Sequence, residues 1–504
     1  MEITKGSPAA INAIVIPGST IVCELKIKGT KKPVKINIDF HIYFKNPIHR
    51  NMTDVITSGI QSIYTSASDS THIIKIKIPE FREYTKSQIY ISIDPNQDPY
   101  NKIFILGIII EDIFKYEKRK IDQLKIKTKR IEKLEEGKLD IVCQGLMLGY
   151  SGFAKAMRNI TIGLDNIGCN IKAIPLDVDN INFLSTEKGK KIQKLINNNI
   201  DQYFWITMNC SMGVGQHDCY SIGYVMFETE IFPPKYAQHL NNLDEIWTPS
   251  TFCKNSMKQS GVKNVLVMPL GVDTEQFNPE TVKAMTCPKD MEKKYKFLTI
   301  CGYSERKGIS ILVRAFAEEF GGDKDVVLYI KGGWFHKDKA QIEINNITKD
   351  IDNCPLIHLD FNIYPDDILA QIYKMCDCFV LPTRGEGWGL PFIEAMSMEM
   401  PTIGTNWGGQ LEFMNNDNSF LINIDGTATE PRCDWICSEY IGAKFAVPNK
   451  NHLRQLMRYI YEHREYAKEK GRTARKYIIN NFSWEISCNR IHERLKNIAY
   501  DAIK

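Results

Sequence analysis

The chain has 504 residues, 43% of them hydrophobic and 25% charged, which suits two or three globular domains. No apolar run approaches the ~20 residues of a membrane-spanning helix. The formal net charge is +4, and the +6 of residues 1–137 (22 basic against 16 acidic) is too modest to establish a nucleic-acid module there; none is expected.

Met1 to Gly18 hold no sustained apolar core, so no signal peptide is expected. Fourteen scattered cysteines lack the paired spacing of a zinc site. They read as reduced thiols of a cytoplasmic protein. The charge is uneven. Residues 1–137 carry 22 lysines and arginines against 16 acids, and the remainder 42 against 44.

Residues 1–111 read as β structure. Ile14–Ile16, Ile21–Ile27, Val34–Phe40, Ile73–Ile78, Ile89–Ile93 and Ile103–Ile110 are the candidate strands, several with strict apolar/polar alternation. A small antiparallel sandwich is expected, serving acceptor recognition, assembly or stabilisation. Residues 112–137 differ. Nine lysines and arginines lie between Lys115 and Lys133 against three acids. This stretch is either a solvated connecting helix or a basic surface for peripheral contact with an anionic membrane or a polyanion.

At Leu139 the pattern becomes βαβ. Leu139–Cys143 is a strand, Gly145–Gly152 a loop, Phe153–Leu164 a helix and Ile171–Ile174 the next strand. Tyr203–Thr207 and Ile222–Thr229 follow as strands, the second with Glu228 at its C-terminal edge. A carboxylate there acts as a hydrogen-bond acceptor or base, or simply caps the strand. His217, in the preceding loop, is a second candidate. Asp177-Val178-Asp179 reads as a loop and not as a metal motif.

A second doubly wound domain opens at Phe297–Cys301. Arg306 and Lys307 follow in a loop before the helix Ile309–Phe320. Two adjacent cations at a helix start oppose the helix dipole, which is explained if a diphosphate sits between. Strands at Val326–Ile330, Leu356–Leu359 and Cys378–Leu381 alternate with helices, and residues 450–500 are helical.

After Cys378–Leu381 the chain runs Arg384-Gly385-Glu386-Gly387-Trp388-Gly389-Leu390-Pro391-Phe392-Ile393-Glu394-Ala395. This is a strand, a glycine-rich loop and a helix start with proline in its first turn. Such a loop offers backbone N–H groups to an anion. Glu386 and Glu394 are placed to accept hydrogen bonds from sugar hydroxyls. A ligand with both parts is a sugar nucleotide.

The string resembles the E-x7-E motif of retaining glycosyltransferases of the GT-B fold, especially family 4, whose usual form is E-G-x-G-L-P-x-x-E-A. The resemblance covers about residues 138–504. It implies an α/β chain of two Rossmann-like doubly wound domains facing a cleft, preceded here by the β-sandwich-like domain. The expected divisions are 1–111, 112–137, 138–290 on the acceptor side, 291–480 on the nucleotide-sugar side, and 481–504 as a helix crossing back. The resemblance implies transfer of a hexose from a UDP- or GDP-sugar to a glycan, lipid-linked or protein hydroxyl, with no cofactor and no required metal. Arg306, Lys307, Gly387, Trp388, Gly389 and Leu390 would then meet the diphosphate, Glu394 the ribose and Glu386 the donor sugar. Gly152, in the loop opening the first helix, would face the phosphates across the cleft. Many members of the family carry histidine where this chain has Glu228. The alternative from a different class is a catalytically silent nucleotide- or glycan-binding protein on the same scaffold.

Overall fold

The structure is a computed structural model. It describes the strands of residues 1–111 as backbone and, from residue 138 onward, all but residues 178–180, 202, 209–218, 334–336, 430–442 and 502–504. His217 and the basic stretch Lys115–Lys133 lie outside the described residues. The chain separates into two compact units, Met1–Glu132 and Lys133–Lys504.

In the first unit the strands are β1 (Glu2–Ile3), β2 (Ala9–Val15), β3 (Thr20–Ile27), β4 (Lys35–Lys45), β5 (Thr53–Tyr64), β6 (Ser70–Lys77), β7 (Thr85–Ile93) and β8 (Ile103–Glu111). They pair antiparallel into two four-stranded sheets, in the orders β1-β8-β3-β6 and β2-β7-β4-β5. β5 was absent from the expected strands. Its sequence TDVITSGIQSIY is broken by a glycine and polar residues that interrupt the alternation.

The second unit contains two parallel six-stranded sheets. The first comprises β9 (Asp140–Gly145), β10 (Asn170–Pro175), β11 (Phe204–Met208), β12 (Tyr220–Tyr224), β13 (Glu245–Thr248) and β14 (Val265–Val267), in the order β10-β9-β11-β12-β13-β14. Helix α1 (Gly152–Ile167) follows β9. Ser151 caps it by accepting from Ala154 N at 3.2 Å, and Ala156, Met157, Ile160 and Leu164 face the core at helical spacing. The strand expected to reach Thr229 ends at Tyr224. Val225–Glu228 is irregular chain, although Val225 N still bonds Trp247 O.

The second sheet comprises β15 (Tyr295–Ile300), β16 (Val326–Lys331), β17 (Leu356–Asp360), β18 (Cys378–Leu381), β19 (Thr402–Thr405) and β20 (Phe420–Ile422), in the order β17-β16-β15-β18-β19-β20. Helices α2 (Ile309–Phe320), α3 (Asp366–Met375) and α4 (Leu390–Ser397) follow β15, β17 and β18. The order reverses between β15 and β18. The crevice outside the carboxyl ends of a doubly wound sheet, at such a reversal, is where ligands bind. The loops holding Arg306, Lys307 and Glu386 leave these two strands. The last helix, α5 (Trp484–Asp501), lies on α1. Cys488 sits so close to Gly163 that an added Cβ would come within 2.3 Å of its sulfur.

Candidate functional site

The β15 and β18 loops are drawn together by backbone. Gly308 has φ +70°, and a Cβ there would lie 2.0 Å from Pro382 O, so only glycine fits. Arg384 N donates to Arg306 O at 2.8 Å. Glu305–Lys307 forms a tight turn before α2. From it Arg306 Nη1 donates to Gly385 O at 2.7 Å, and Lys307 Nζ bonds Glu386 Oε1. Arg306 also lies 3.9 Å from Glu386 Oε2 and 3.5 Å from Glu228 Oε1.

Glu228 comes from the other α/β domain. Arg306 therefore stands between two carboxylates, one from each side. The positive charges of Arg306 and Lys307 are answered by Glu386 and Glu228, contacts that a diphosphate at this point would share or displace.

The glycine loop itself is pressed against the N-terminal domain. A Cβ on Gly385 would lie 2.3 Å from Glu228 O. One on Gly387 would meet Met226, Phe227 and Cys253 at 3.2 to 3.4 Å. Ser250 Oγ donates to Gly387 O at 2.8 Å, and Gly409 N donates to Glu386 O at 2.7 Å. Trp388 is buried against Phe413 and Phe482, with ring centroids at 4.9 and 5.7 Å. Its side chain belongs to the core, which leaves its main chain for a ligand. Gly389, at φ +98°, turns the chain into α4, where Leu390 and Pro391 form the first turn.

Glu394 differs most from expectation. It stands in the second turn of α4, only 3% exposed, rather than at the open edge of a crevice. Lys155 of α1 donates to its Oε1 at 2.5 Å, and Tyr373 OH to its Oε2 at 3.1 Å. Lys155 also pairs with Asp366, at the start of α3, at 2.8 Å. Burial pushes the Glu394 carboxyl up, with Lys155 opposing. Burial opposes ionisation of Asp366 too, but Lys155 and Arg158 hold it below the usual carboxylate range. Lys155 stays protonated because Asp366 and Glu394 outweigh its desolvation.

Sequence reading did not single out Lys155 or Asp366. Lys155 lies off the apolar period Ala156, Met157, Ile160 and Leu164 of its helix, so the sequence carried no local signal for it. Around this group the lining residues enclose a void of only about 10 Å³, too small for a ribose.

Gly152 faces the same seam, 3.5 Å from Leu390 as measured from an added Cβ. The loop before it is not an open anion site. Met147, Leu148 and Gly149 N–H groups all donate to the Asp177 carboxylate, at 2.8, 2.8 and 2.7 Å. An internal carboxylate fills that cradle.

Residues 294–430 match the family described as group 1 glycosyl transferases, a segment that contains Arg306, Lys307, Glu386 and Glu394. An uncharacterised glycosyltransferase of Methanocaldococcus jannaschii is 24% identical over 269 residues, 52% of this chain and 62% of that protein. The chain thus spans less than two thirds of the length of this curated relative. Sucrose-phosphate synthase of Thermosynechococcus elongatus superposes with a TM-score of 0.52 at 16% identity, covering 71% of this chain and 99% of that one. Anabaena HepE, solved with UDP and glucose, gives a TM-score of 0.51 at 13% identity over 71% of this chain and all of its own. The two α/β domains have the GT-B fold. Within that fold, Glu386, Arg306 and Lys307 converge at the reversal of the C-terminal sheet, and Glu228 meets them from the N-terminal domain.

Proposed function

We propose that this chain is a retaining hexosyltransferase that takes its sugar from a nucleoside diphosphate and passes it to a hydroxyl of a glycan, lipid-linked or protein acceptor, without a required metal. The observation that carries this reading is the meeting of Arg306, Lys307 and Glu386 with Glu228 where the sheet order reverses. Breaking the bond from the anomeric carbon to the phosphate oxygen puts positive charge on that carbon and negative charge on the diphosphate. Arg306 and Lys307, assisted by main-chain N–H groups of the glycine loop, stabilise the leaving group.

Glu386, relieved of Lys307 as the phosphate takes the ammonium, accepts from the donor's hydroxyls. The acceptor oxygen bonds the anomeric carbon on the face the phosphate leaves. Its proton passes to the departing phosphate, so configuration is retained without a covalent enzyme intermediate. Glu228 orients the incoming hydroxyl. Contact of Glu394 with the ribose hydroxyls requires the seam around Lys155, closed to about 10 Å³ here, to open and Lys155 to keep Asp366 alone. A protein of the same fold holding UDP and glucose accords with a donor of this class.

The test is a screen of UDP-, GDP- and ADP-sugars for release of nucleoside diphosphate, repeated on Glu386→Ala with the best donor. Loss of one transition-state contact lowers turnover by at least ~10²-fold. A near-full rate in that variant would remove Glu386 from the chemistry.

A further inference from the structure

Beside the glycine loop the two α/β domains leave another opening. The helix Thr251–Gln259 follows β13 and begins directly after Ser250, whose hydroxyl holds Gly387 O. Thr251 and Phe252, in its first turn, face Asn406, Trp407 and Gly408 of the turn after β19. Together with Leu411 and Glu412 they line an open cavity of about 470 Å³, a size typical of small-molecule sites. Gly408 ties this cavity to the site already described. A Cβ there would lie 3.3 Å from Glu386 O and 3.4 Å from Glu386 N. One layer of main chain separates the two.

The lining is aromatic and nearly free of charge. Phe252 and Trp407 are half-buried, with ring centroids 4.7 Å apart and planes at 68°. Rings at such an angle form a corner, and each keeps a face that the other does not cover. The Trp407 indole N–H finds no acceptor among the described residues. Asn406 is exposed, and Leu411, 38% exposed, adds apolar surface at the rim. No lysine or arginine lines the cavity among the described residues. Its charged side chain is Glu412, which accepts from Thr251 N at 2.7 Å and from Thr251 Oγ1 at 3.3 Å.

This chemistry selects a ligand. A phosphate or another anion would meet a carboxylate and no cation. A lipid chain would cover the indole N–H, the Asn406 amide and Glu412 and serve none of them. A neutral pyranose has a face of C–H bonds to lay on an aromatic ring, and hydroxyls at its edge that both accept and donate.

We propose that this cavity is a glycan subsite, holding a neutral pyranose of the acceptor against Phe252 and Trp407. The acceptor role rests on the transferase reading above, whereas the binding itself does not. It narrows the acceptor to a chain that already carries a neutral sugar.

The test is binding of the methyl glycosides of glucose, galactose, mannose and N-acetylglucosamine, and of maltotriose and cellotriose, to the full chain by saturation-transfer NMR and calorimetry. At least one is expected to bind the wild type. Trp407→Ala and Phe252→Ala should each weaken that sugar by about 3–10-fold, the effect of one aromatic contact, and Trp407→Phe by less. Leu411→Arg, at an exposed position, should obstruct the cavity without disturbing the fold. Affinity for UDP and GDP should stay within about twofold in every variant. The sugar that binds should also accept hexose from the active donor, with a KM raised by the same factor in Trp407→Ala.

A wild type that binds none of the six sugars would overturn the proposal, as would undiminished binding in both Trp407→Ala and Leu411→Arg. An equal loss of nucleotide affinity would make Trp407 a support for the Glu386 loop and overturn it too. A sugar that binds here, is lost in the variants and accepts nothing from an active donor would strike the acceptor role. If no donor releases nucleoside diphosphate at all, the transferase reading falls, and the acceptor role with it.

Discussion

Replacing Lys155 by methionine would expose what holds the two α/β domains together where α1 meets α3 and α4. The ammonium lies 2.5 Å from Glu394 and 2.8 Å from Asp366, and all three side chains are at most 14% exposed. Removing it strands two buried carboxylates. Among the described residues Glu394 keeps the Tyr373 hydroxyl alone, and Asp366 keeps Arg158 at 3.9 Å. An exposed ion pair contributes about 0–1 kcal/mol. Removing one partner of a buried pair costs about 3–5 kcal/mol, and that is the loss expected at pH 7.5.

The loss should shrink on acidification. In the wild type, Asp366 has a lowered pKa, so its contribution is present above its unfolded value near ~4 and fades as pH falls through the lower folded value. Glu394 has a raised pKa, so its contribution runs the other way, present at low pH and lost as pH rises through the folded value. Without Lys155 both carboxyls move upward. Protonation of both carboxyls on acidification then relieves the variant more than the wild type, whose Asp366 stays ionised to lower pH, and the gap narrows. Urea unfolding followed by tryptophan fluorescence at both pH values would measure this. Adding Asp366→Asn and Glu394→Gln to the variant should recover most of the loss. A cost below ~1 kcal/mol with no pH dependence would mean that Lys155 is in water and the domains do not meet there in solution.

Arg306→Ala combined with Lys307→Ala should weaken nucleoside diphosphate binding, each lost contact contributing roughly 1.5–3 kcal/mol. Unchanged affinity by calorimetry would place the phosphates elsewhere. Gly308→Ala sets a methyl 2.0 Å from Pro382 O in a left-handed backbone. It should lower the melting temperature by several degrees, and an unchanged value would show that the β15 and β18 loops do not meet as described.

Local features were the ones legible in sequence. Cys378–Leu381 and Ile309–Phe320 appear with the expected limits, because a short apolar run closed by Pro382 and a strong helical period between Gly308 and Gly321 leave one solution. In sequence, Arg306, Lys307 and Glu386 read as contacts of one ligand, but the direct pairing of Lys307 with Glu386 depends on the order of strands in the sheet, which no local pattern shows. The partner of Glu394 was not legible. Lys155 is 239 positions away, and nothing local distinguishes it from a lysine at a helix surface. Asp177 was read as a loop residue, but its grip on three N–H groups depends on where β10 ends relative to β9. Val225–Phe227 is apolar enough to pass for strand, and its departure from the ladder is set by the partner strand.

The seam between Gly385, Gly387 and the stretch Met226–Glu228 is made largely of main chain. Main-chain atoms have no rotamers, so the spacing there does not depend on how side chains settle. It acts as a gauge of constant thickness between the face that holds the cations and the face that brings Glu228. Substitutions elsewhere in the N-terminal domain can reshape what is offered to that gap without altering its width. Any side chain placed on either glycine becomes a wedge.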